Sequence, residues 1–290
     1  MGSQPAPDPA ALLARCRFPP PGAAVTCAVS GGADSLALLV LATVAGCDVA
    51  AVHVDHGGRP ADAETEVVRA AAERFGAGFE TRAVDVAPGA NQEERWRDAR
   101  RAALPADALT GHTADDLAET VLLNLLRGAG LKGLAGIAPG PTKPILDLRR
   151  AETHALCDTL GLTTVHDPTN DDPKHRRNRV RHELLPALDA IGERDVVAVL
   201  ARQAALLRDD DELLDDLASA VDPTDARALN AARPALARRA VRRWLTDDHP
   251  PDAATVERVL SVARCESKAC ELAGGRRVER SGMRLRRVPE

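Results

Sequence analysis

Between residues 24 and 160, short β-prone runs alternate with helix-prone stretches, and no other feature constrains the fold as strongly. Residues 24–29, 48–54, 79–86, 108–110 and 144–148 read as strands. Residues 36–45, 61–74, 93–103, 115–127 and 150–160 read as helices. Strands joined through helices run parallel, and a parallel sheet is covered by helices on both faces. Ligands of such sheets bind beyond the carboxyl ends of the strands. After about residue 180 the strand signals fade, and 184–217, 226–245 and 253–263 read as helices, with a break at Pro250-Pro251. The expectation is an α/β chain: a Pro- and Ala-rich arm over 1–22 with one short helix near 10–16, a parallel-sheet domain over 23–192, and a smaller all-helical domain over 196–290 with a basic tail.

Composition narrows the class. At 290 residues the chain is long enough to bury a core without disulfides, and with 44% hydrophobic and 28% charged residues it is neither disordered nor membrane-spanning in composition. The longest apolar stretch, 36–45, is too short to cross a bilayer. The opening MGSQPAPDPA lacks the basic start and apolar run of a signal peptide, and Ala6 stands where myristoylation needs Ser or Thr. A cytosolic location is the expectation. The six cysteines, Cys16, Cys27, Cys47, Cys157, Cys265 and Cys270, form no Cys-x-x-Cys pair, so they read as free thiols rather than a disulfide framework, a structural zinc site or an iron–sulfur cluster.

The formal net charge of −5 does not suggest wholesale nucleic-acid binding, but the charge is unevenly spread. Lys174, Arg176, Arg177, Arg179 and Arg181 cluster without an intervening acid, and residues 276–290 hold six arginines against Glu279 and Glu290. Such patches can hold a polyanion with salt-sensitive affinity. The acidic run Asp209-Asp210-Asp211-Glu212, followed by Asp215 and Asp216, reads as a solvated helix face. Of 38 basic residues only four are lysine, so a single arginine carries little information. With no tyrosine, stacking on bases would fall to Trp96, Trp244, Phe, His or arginine planes.

Three motifs carry chemistry. In Val29-Ser30-Gly31-Gly32-Ala33-Asp34-Ser35, between an apolar strand and an apolar helix, two glycines permit a tight turn. Backbone amides, two hydroxyls and a helix N-terminus then converge as a cradle for phosphate. It is not a Walker A loop, because no Gly-Lys-Ser/Thr follows. Asp34 inside that loop would repel phosphate unless Mg²⁺ or donors intervene, which points to a metal-bound nucleotide. His53-Val54-Asp55-His56-Gly57 ends the next strand; the fuller zinc pattern His-x-His-x-Asp-His would need histidine at position 51, where Ala51 stands, so zinc hydrolysis is disfavoured. Gly111-His112-Thr113-Ala114-Asp115-Asp116-Leu117-Ala118-Glu119-Thr120 ends another strand and opens a helix. Thr113 can cap it, and acids in its first turn suit the macrodipole. Asp115 and Glu119, four apart, share a face suited to Mg²⁺ or to binding and deprotonating an amine. Gly128-Ala129-Gly130-Leu131-Lys132-Gly133 has the dinucleotide spacing but follows a helix, so it reads as a helix stop and flexible loop.

Together these pieces resemble a known family. Ser-Gly-Gly-x-Asp-Ser is similar to the PP-loop of N-type ATP pyrophosphatases, which have an adenine nucleotide alpha hydrolase-like fold. HVDHGGRP, NQEERWRDARR, GHTADDLAETVLLNLLRGAGLKGLAGI, KPILDLRRAE and HDPTNDDPKHRRNRVRHELLP occur in the order seen in tRNA(Ile)-lysidine synthetases. The likeness covers about residues 24–190 strongly and continues weakly to about 263. It implies a two-step ligation: ATP adenylates O2 of the wobble cytidine in an isoleucine tRNA with a CAU anticodon, and the ε-amine of free L-lysine displaces AMP to give lysidine. By the same resemblance, Ser30, Gly31, Gly32, Ala33, Asp34, Ser35, His53 and Arg97 bind ATP. Asp34, with Mg²⁺, His112, Asp116, Arg177 and Arg181 serve catalysis, and Arg177, Arg179, Arg181, Arg239 and Arg243 bind tRNA, with Arg238 and Arg242 on the same basic helix. This chain departs from the family pattern at Gly58 for leucine, Arg101 for tyrosine, Thr113 for histidine and Thr169 for serine, and it is short for the longer members' extra C-terminal domain. The competing readings are another PP-loop tRNA-modifying enzyme, although thiolases of cytidine use Cys-x-x-Cys pairs, a small-metabolite ATP pyrophosphatase, and a non-catalytic tRNA binder. The two-domain layout is compatible with monomer or homodimer.

Overall fold

The computed structural model describes residues 8–55, 61–86, 92–166, 168–247 and 249–289. The chain divides into two compact units, Met1–Ala204 and Ala205–Glu290. The first unit runs α1 (Pro9–Leu13), β1 (Ala24–Ala28), α2 (Ala33–Val44), β2 (Asp48–Asp55), α3 (Ala61–Arg74), β3 (Gly78–Ala83), α4 (Gln92–Ala103), α5 (Ala114–Leu126), α6 (Leu131–Leu134), α7 (Arg150–Thr159), α8 (Arg176–Arg179), a π-helical turn (Val180–Leu184) and α9 (Leu185–Gly192). Helix α10 (Val196–Ser219) crosses the division between the units.

The sheet is parallel, in the order β1-β2-β3, with Ala28 opposite Val52 and His53 opposite Thr81. On the free side of β1, Leu109 forms a single parallel bridge to Cys27, donating to Thr26 O at 2.7 Å and accepting from Ala28 N at 2.9 Å. The expected fourth strand is therefore one bridge long. The expected fifth strand at 144–148 is not a strand. Pro144 brings no amide hydrogen, and the segment folds on itself, Leu148 N donating to Ile145 O at 3.0 Å, while the side chains of Ile145, Leu146 and Leu148 fill the interior. Their apolarity reflects burial rather than pairing.

Helix α2 lies at the centre. Leu36, Leu38, Leu39 and Leu41 are all fully buried, and a helix apolar on every face finds a place only inside a core. Around it pack Cys27, Val49 and Ala51 from the sheet, Val68 and Ala72 from α3, and Leu156 and Cys157 from α7. Each such leucine contributes about 1.5–3 kcal/mol relative to exposure. This is what holds the carboxyl ends of β1 and β2 in register with the start of α2. The glycine-rich stretch after α5 behaves as expected at Gly128, whose φ of +76° ends the helix, but its continuation forms the single turn α6 rather than open loop.

The second unit corrects the all-helical expectation. After α11 (Ala226–Ala231), α12 (Pro234–Leu245) and α13 (Ala253–Ala263) come β4 (Ala269–Glu271), β5 (Arg277–Ser281) and β6 (Arg284–Val288), an antiparallel sheet in that order. The basic tail is thus a hairpin whose Gly282 adopts φ +60° in the turn. Val278 and Leu285 face the helices and are buried, while arginines alternate with them. A strand with only one or two apolar side chains per face reads as polar coil. The single helix expected over 226–245 is two, because Pro234 cannot continue α11.

Candidate active site

The Ser30–Ser35 loop is built by its own serines. Ser30 N donates to Ser35 Oγ at 3.1 Å, Ser35 Oγ–H donates to Gly32 O at 2.8 Å, and the Ser30 and Ser35 hydroxyls lie 3.2 Å apart. Gly31 has φ +88°, and a Cβ there would stand 3.0 Å from Val165 Cγ2, so the turn needs glycine for both conformation and space. Gly32 caps α2, whose first turn holds Asp34. The N-terminus of this twelve-residue helix directs its free amides at the loop, as an anion site requires.

His53 is 2% exposed, and its Nδ1 lies 2.9 Å from Val29 O, the carbonyl that enters the loop. It braces the loop from below at the end of β2. His56 and Gly58 lie outside the described residues, as does the Arg97 side chain.

A carboxylate cluster stands beside the loop. Asp116 Oδ2 accepts from Thr113 N at 2.8 Å and from Thr113 Oγ1 at 3.0 Å, which joins the N-terminus of α5 to its third residue. The other oxygen, Oδ1, accepts from Arg150 and from Arg177, each at 3.0 Å. Glu119, one turn further along α5, is 0% exposed and is shared by three arginines: Arg150 at 2.9 Å, Arg177 at 2.6 Å and Arg181 at 2.7 Å. Burial alone would push its carboxyl up, but the Arg181 hydrogen bonds and the charges of Arg150, Arg177 and Arg181 hold it down at about 2. Asp115 is gripped through both oxygens by Arg149, at 3.1 and 3.2 Å, and accepts from Arg150 N at 2.8 Å. These bonds outweigh its burial and hold its carboxyl below the usual range. Asp34 takes the Thr153 hydroxyl on Oδ1 and Arg150 Nε at 3.4 Å on Oδ2. There burial prevails, helped by the neighbouring Asp116, and the carboxyl is raised.

His112 lies at the same sheet edge. Its Nδ1 is 2.8 Å from Thr110 Oγ1, and that hydroxyl, 3.1 Å from Thr142 O, spends its hydrogen on the carbonyl. The hydroxyl therefore accepts from Nδ1–H, which leaves Nε2 as the unprotonated nitrogen. Burial lowers the pKa of the ring, so the neutral form prevails at neutral pH.

Arginines read alike from sequence divide in the structure. Arg177 and Arg181, one helical turn apart, both reach Glu119, whereas Arg179 points away and pairs with exposed Glu183 at 3.0 Å. Between them Asn178 is buried and donates to Thr169 O at 2.8 Å and Asp172 O at 2.9 Å, which fixes the segment to the preceding turn. In the second unit Arg239 is held by Asp211 and by Asp215 at 2.6 Å, and Arg243 donates to Ala218 O at 3.3 Å. Both fasten α12 to α10. Asp211 is itself buried, so part of the acidic run that reads as a solvated face is interior ion-pair structure.

Sequence reasoning missed Arg149, Arg150 and Thr153. In a chain with so many arginines, Arg149-Arg150 before a helix looks like solvated surface. The available signal was the short motif in which they stand, directly after the apolar segment that lines the core.

A PP-loop domain matches residues 11–188. The chain is 44% identical over 246 residues to a protein of Nocardia farcinica named tRNA(Ile)-lysidine synthase, covering 78% of this chain and 77% of that one. The chain belongs to the tRNA(Ile)-lysidine synthase family. Proteins of the same name from Rhodococcus erythropolis, at 41% identity over 240 residues, and Thermobifida fusca, at 38% over 290 residues, are similarly related; the latter match covers 89% of each chain. The loop, the carboxylate cluster and the arginines of α8 all lie inside the stretch assigned to the PP-loop domain. The second unit, residues 205–290, lies outside it.

Proposed function

We propose that this chain is an ATP-dependent ligase that joins free L-lysine to C2 of the wobble cytidine of an isoleucine tRNA with a CAU anticodon. The observation that carries the reading is the junction of the Ser30–Ser35 loop with a cluster in which acids and arginines balance, in a member of the tRNA(Ile)-lysidine synthase family. The phosphate loop and the N-terminus of α2 receive the ATP phosphates, and His53 sets the loop from beneath. Cytidine O2 attacks the α-phosphorus and pyrophosphate leaves; the lysine ε-amine then adds at C2, and AMP leaves with the C2–O bond.

Both steps shift negative charge onto phosphate oxygens, and Arg177 and Arg181 stand where that charge is met. The amine must lose protons as the C–N bond forms. Asp116 and Glu119 already have donors on both oxygens, whereas among the described residues nothing bonds His112 Nε2, so His112 is the proton acceptor. Mg²⁺ is expected with ATP. Asp34, whose Oδ2 is met among the described residues only by Arg150 at the long distance of 3.4 Å, is the loop carboxylate that would hold the ion, and the ion would neutralise phosphate charge. Among the described residues no helix is long and apolar enough to cross a membrane, and a cytosolic enzyme is proposed with the rest. Arg179, outward and exposed, is turned away from the acids of the site and toward solvent, where a tRNA backbone would lie.

The test is nucleoside mass analysis after incubation with an isoleucine tRNA bearing CAU, ATP, Mg²⁺ and lysine. A lysine-substituted cytidine that requires ATP supports the reading. Unmodified cytidine with intact tRNA binding refutes it in favour of another modification or a non-catalytic binder.

A further inference from the structure

Residue 150 touches all four acids of the site. Its backbone N–H donates to Asp115 at 2.8 Å, and its guanidinium reaches Asp34 at 3.4 Å, Asp116 at 3.0 Å and Glu119 at 2.9 Å. The acids come from two elements, α2 and α5, and Arg150 enters from a third as the first residue of α7. Its five N–H donors form a rigid planar fork, which serves three carboxylates in fixed relative positions, where an ammonium would draw them to a single point. The other arginines differ in kind. Arg177 is 39% exposed and its guanidinium meets two acids, whereas Arg150 is 18% exposed, meets three acids through its guanidinium and begins a helix anchored by buried Leu156 and Cys157.

We propose that Arg150 is a positioning residue that sets the spacing of Asp116 and Glu119 for the incoming amine. This rests on the ligase reading above. The charge balance gives the physical reason. Three acids, Asp34, Asp116 and Glu119, face three arginines, Arg150, Arg177 and Arg181, so the cluster as it stands has no net attraction for an ammonium group. An arriving lysine amine gains a site only by taking the place of one guanidinium. The more exposed Arg177, which holds acids of α5 and none of α2, can leave. Arg150 cannot leave without freeing acids on two elements at once, so it is the cation that holds the carboxylates in place during the exchange. Asp34 keeps the Thr153 hydroxyl in either case. Loss of Arg150 is therefore felt more at the amine, where two close contacts go, than at the phosphate loop, where one contact at 3.4 Å goes.

The experiment separates the two half-reactions in the full-length chain. Pyrophosphate release from Mg·ATP and the CAU tRNA is measured without lysine, and lysidine formation is then followed against lysine concentration, for wild type, Arg150→Lys and Arg150→Ala. Arg150→Lys keeps the charge but not the fork. It is expected to raise the lysine KM about tenfold or more and to lower pyrophosphate release by a clearly smaller factor, since Asp34 keeps Thr153. Millimolar guanidinium is expected to lower the lysine KM of Arg150→Ala. If that variant does not fold, Arg150→Lys carries the test alone. An unchanged lysine KM in Arg150→Lys, or an equal fall in both half-reactions, overturns the proposal, since a merely structural role depresses both together. A wild-type protein that makes no lysidine refutes the ligase reading instead. Calorimetric titration of lysine into wild type and Arg150→Lys then decides for Arg150, and equal binding overturns it.

Discussion

Gly111 is where the two halves of the site touch through backbone alone. A Cβ added there would lie 2.7 Å from Asp34 O, 2.9 Å from Asp34 C and 3.1 Å from Ser35 N. Carbon atoms rest at about 3.5–4.0 Å from their neighbours, so Gly111→Ala demands a movement of roughly 0.7 Å. No flexible side chain can absorb it, because the obstructing atoms are the first turn of α2 and the leucines that follow are fully buried. Overpacking of this kind costs about 1–3 kcal/mol. In a unit of some 200 residues, that lowers Tm by roughly 2–12 °C. The loss of function should be larger than the loss of fold, because Asp34 rides on the displaced turn and a misplacement approaching 1 Å costs on the order of 10–100-fold in rate. Gly140→Ala is the control, since a Cβ there meets nothing within 4 Å and the residue has no left-handed backbone. Thermal unfolding and ATP-dependent AMP formation, assayed well below either Tm, measure the two effects. A Gly111→Ala protein with wild-type Tm and wild-type kcat/KM for ATP, or one no worse than Gly140→Ala, would refute the close approach and the argument built on it.

Asp34→Ala is expected to reduce turnover at least about 100-fold while leaving tRNA affinity within about twofold, because the acid serves the nucleotide; filter binding beside the turnover assay checks both, and normal turnover would remove Asp34 from the chemistry. Glu119, held at about 2 against an ordinary 4.5, contributes stability that is fully present above pH 4.5 and is lost as the pH falls from there toward 2. Urea unfolding across that window should show a shallower acid limb in Glu119→Gln than in wild type, together with a loss of about 3 kcal/mol at pH 7 from guanidinium groups left underpaired; an unaltered limb would contradict the arginine clamp. Arg239→Ala should destabilise the second unit by about 2 kcal/mol through the stranded carboxylate of Asp211, and tRNA affinity measured at a temperature where the fold is intact should change less than twofold. A large affinity loss with unchanged stability would return Arg239 to the tRNA surface.

The phosphate loop was legible from the residues because its chemistry is local: two glycines, two serines and an acid between an apolar strand and an apolar helix leave few alternatives. The carboxylate-rich start of α5 was legible for the same reason. What could not be read was the partner of each acid. Arg149, Arg150 and Thr153 reach Asp115, Asp34, Asp116 and Glu119 across more than thirty residues of chain, and Arg177 and Arg181 across about sixty. Nothing in the periodicity of either segment encodes that meeting. The strand expected at 144–148 failed because apolarity reports burial and not hydrogen bonding, and Ile145 and Leu148 are buried without a ladder. The hairpin of β5 and β6 was missed for the converse reason, since its ladder is complete but its buried side chains are few.

By itself, the sequence determined the alternation that makes the parallel sheet, the apolarity that sends α2 into the core, and hence the edge at which any chemistry must sit. It also carried enough ordered motif to place the chain in its family. Tertiary structure alone decided which acids each arginine meets. Arg239 and Arg177 look alike in a string of residues, yet one is bound to buried Asp211 and the other to Glu119 beside the phosphate loop. The physical reason is that helix and strand preferences arise from neighbours within a few residues, whereas the state of a charge depends on what surrounds it in space, and a buried carboxylate is stabilised by the cations and hydrogen-bond donors that the fold brings to it.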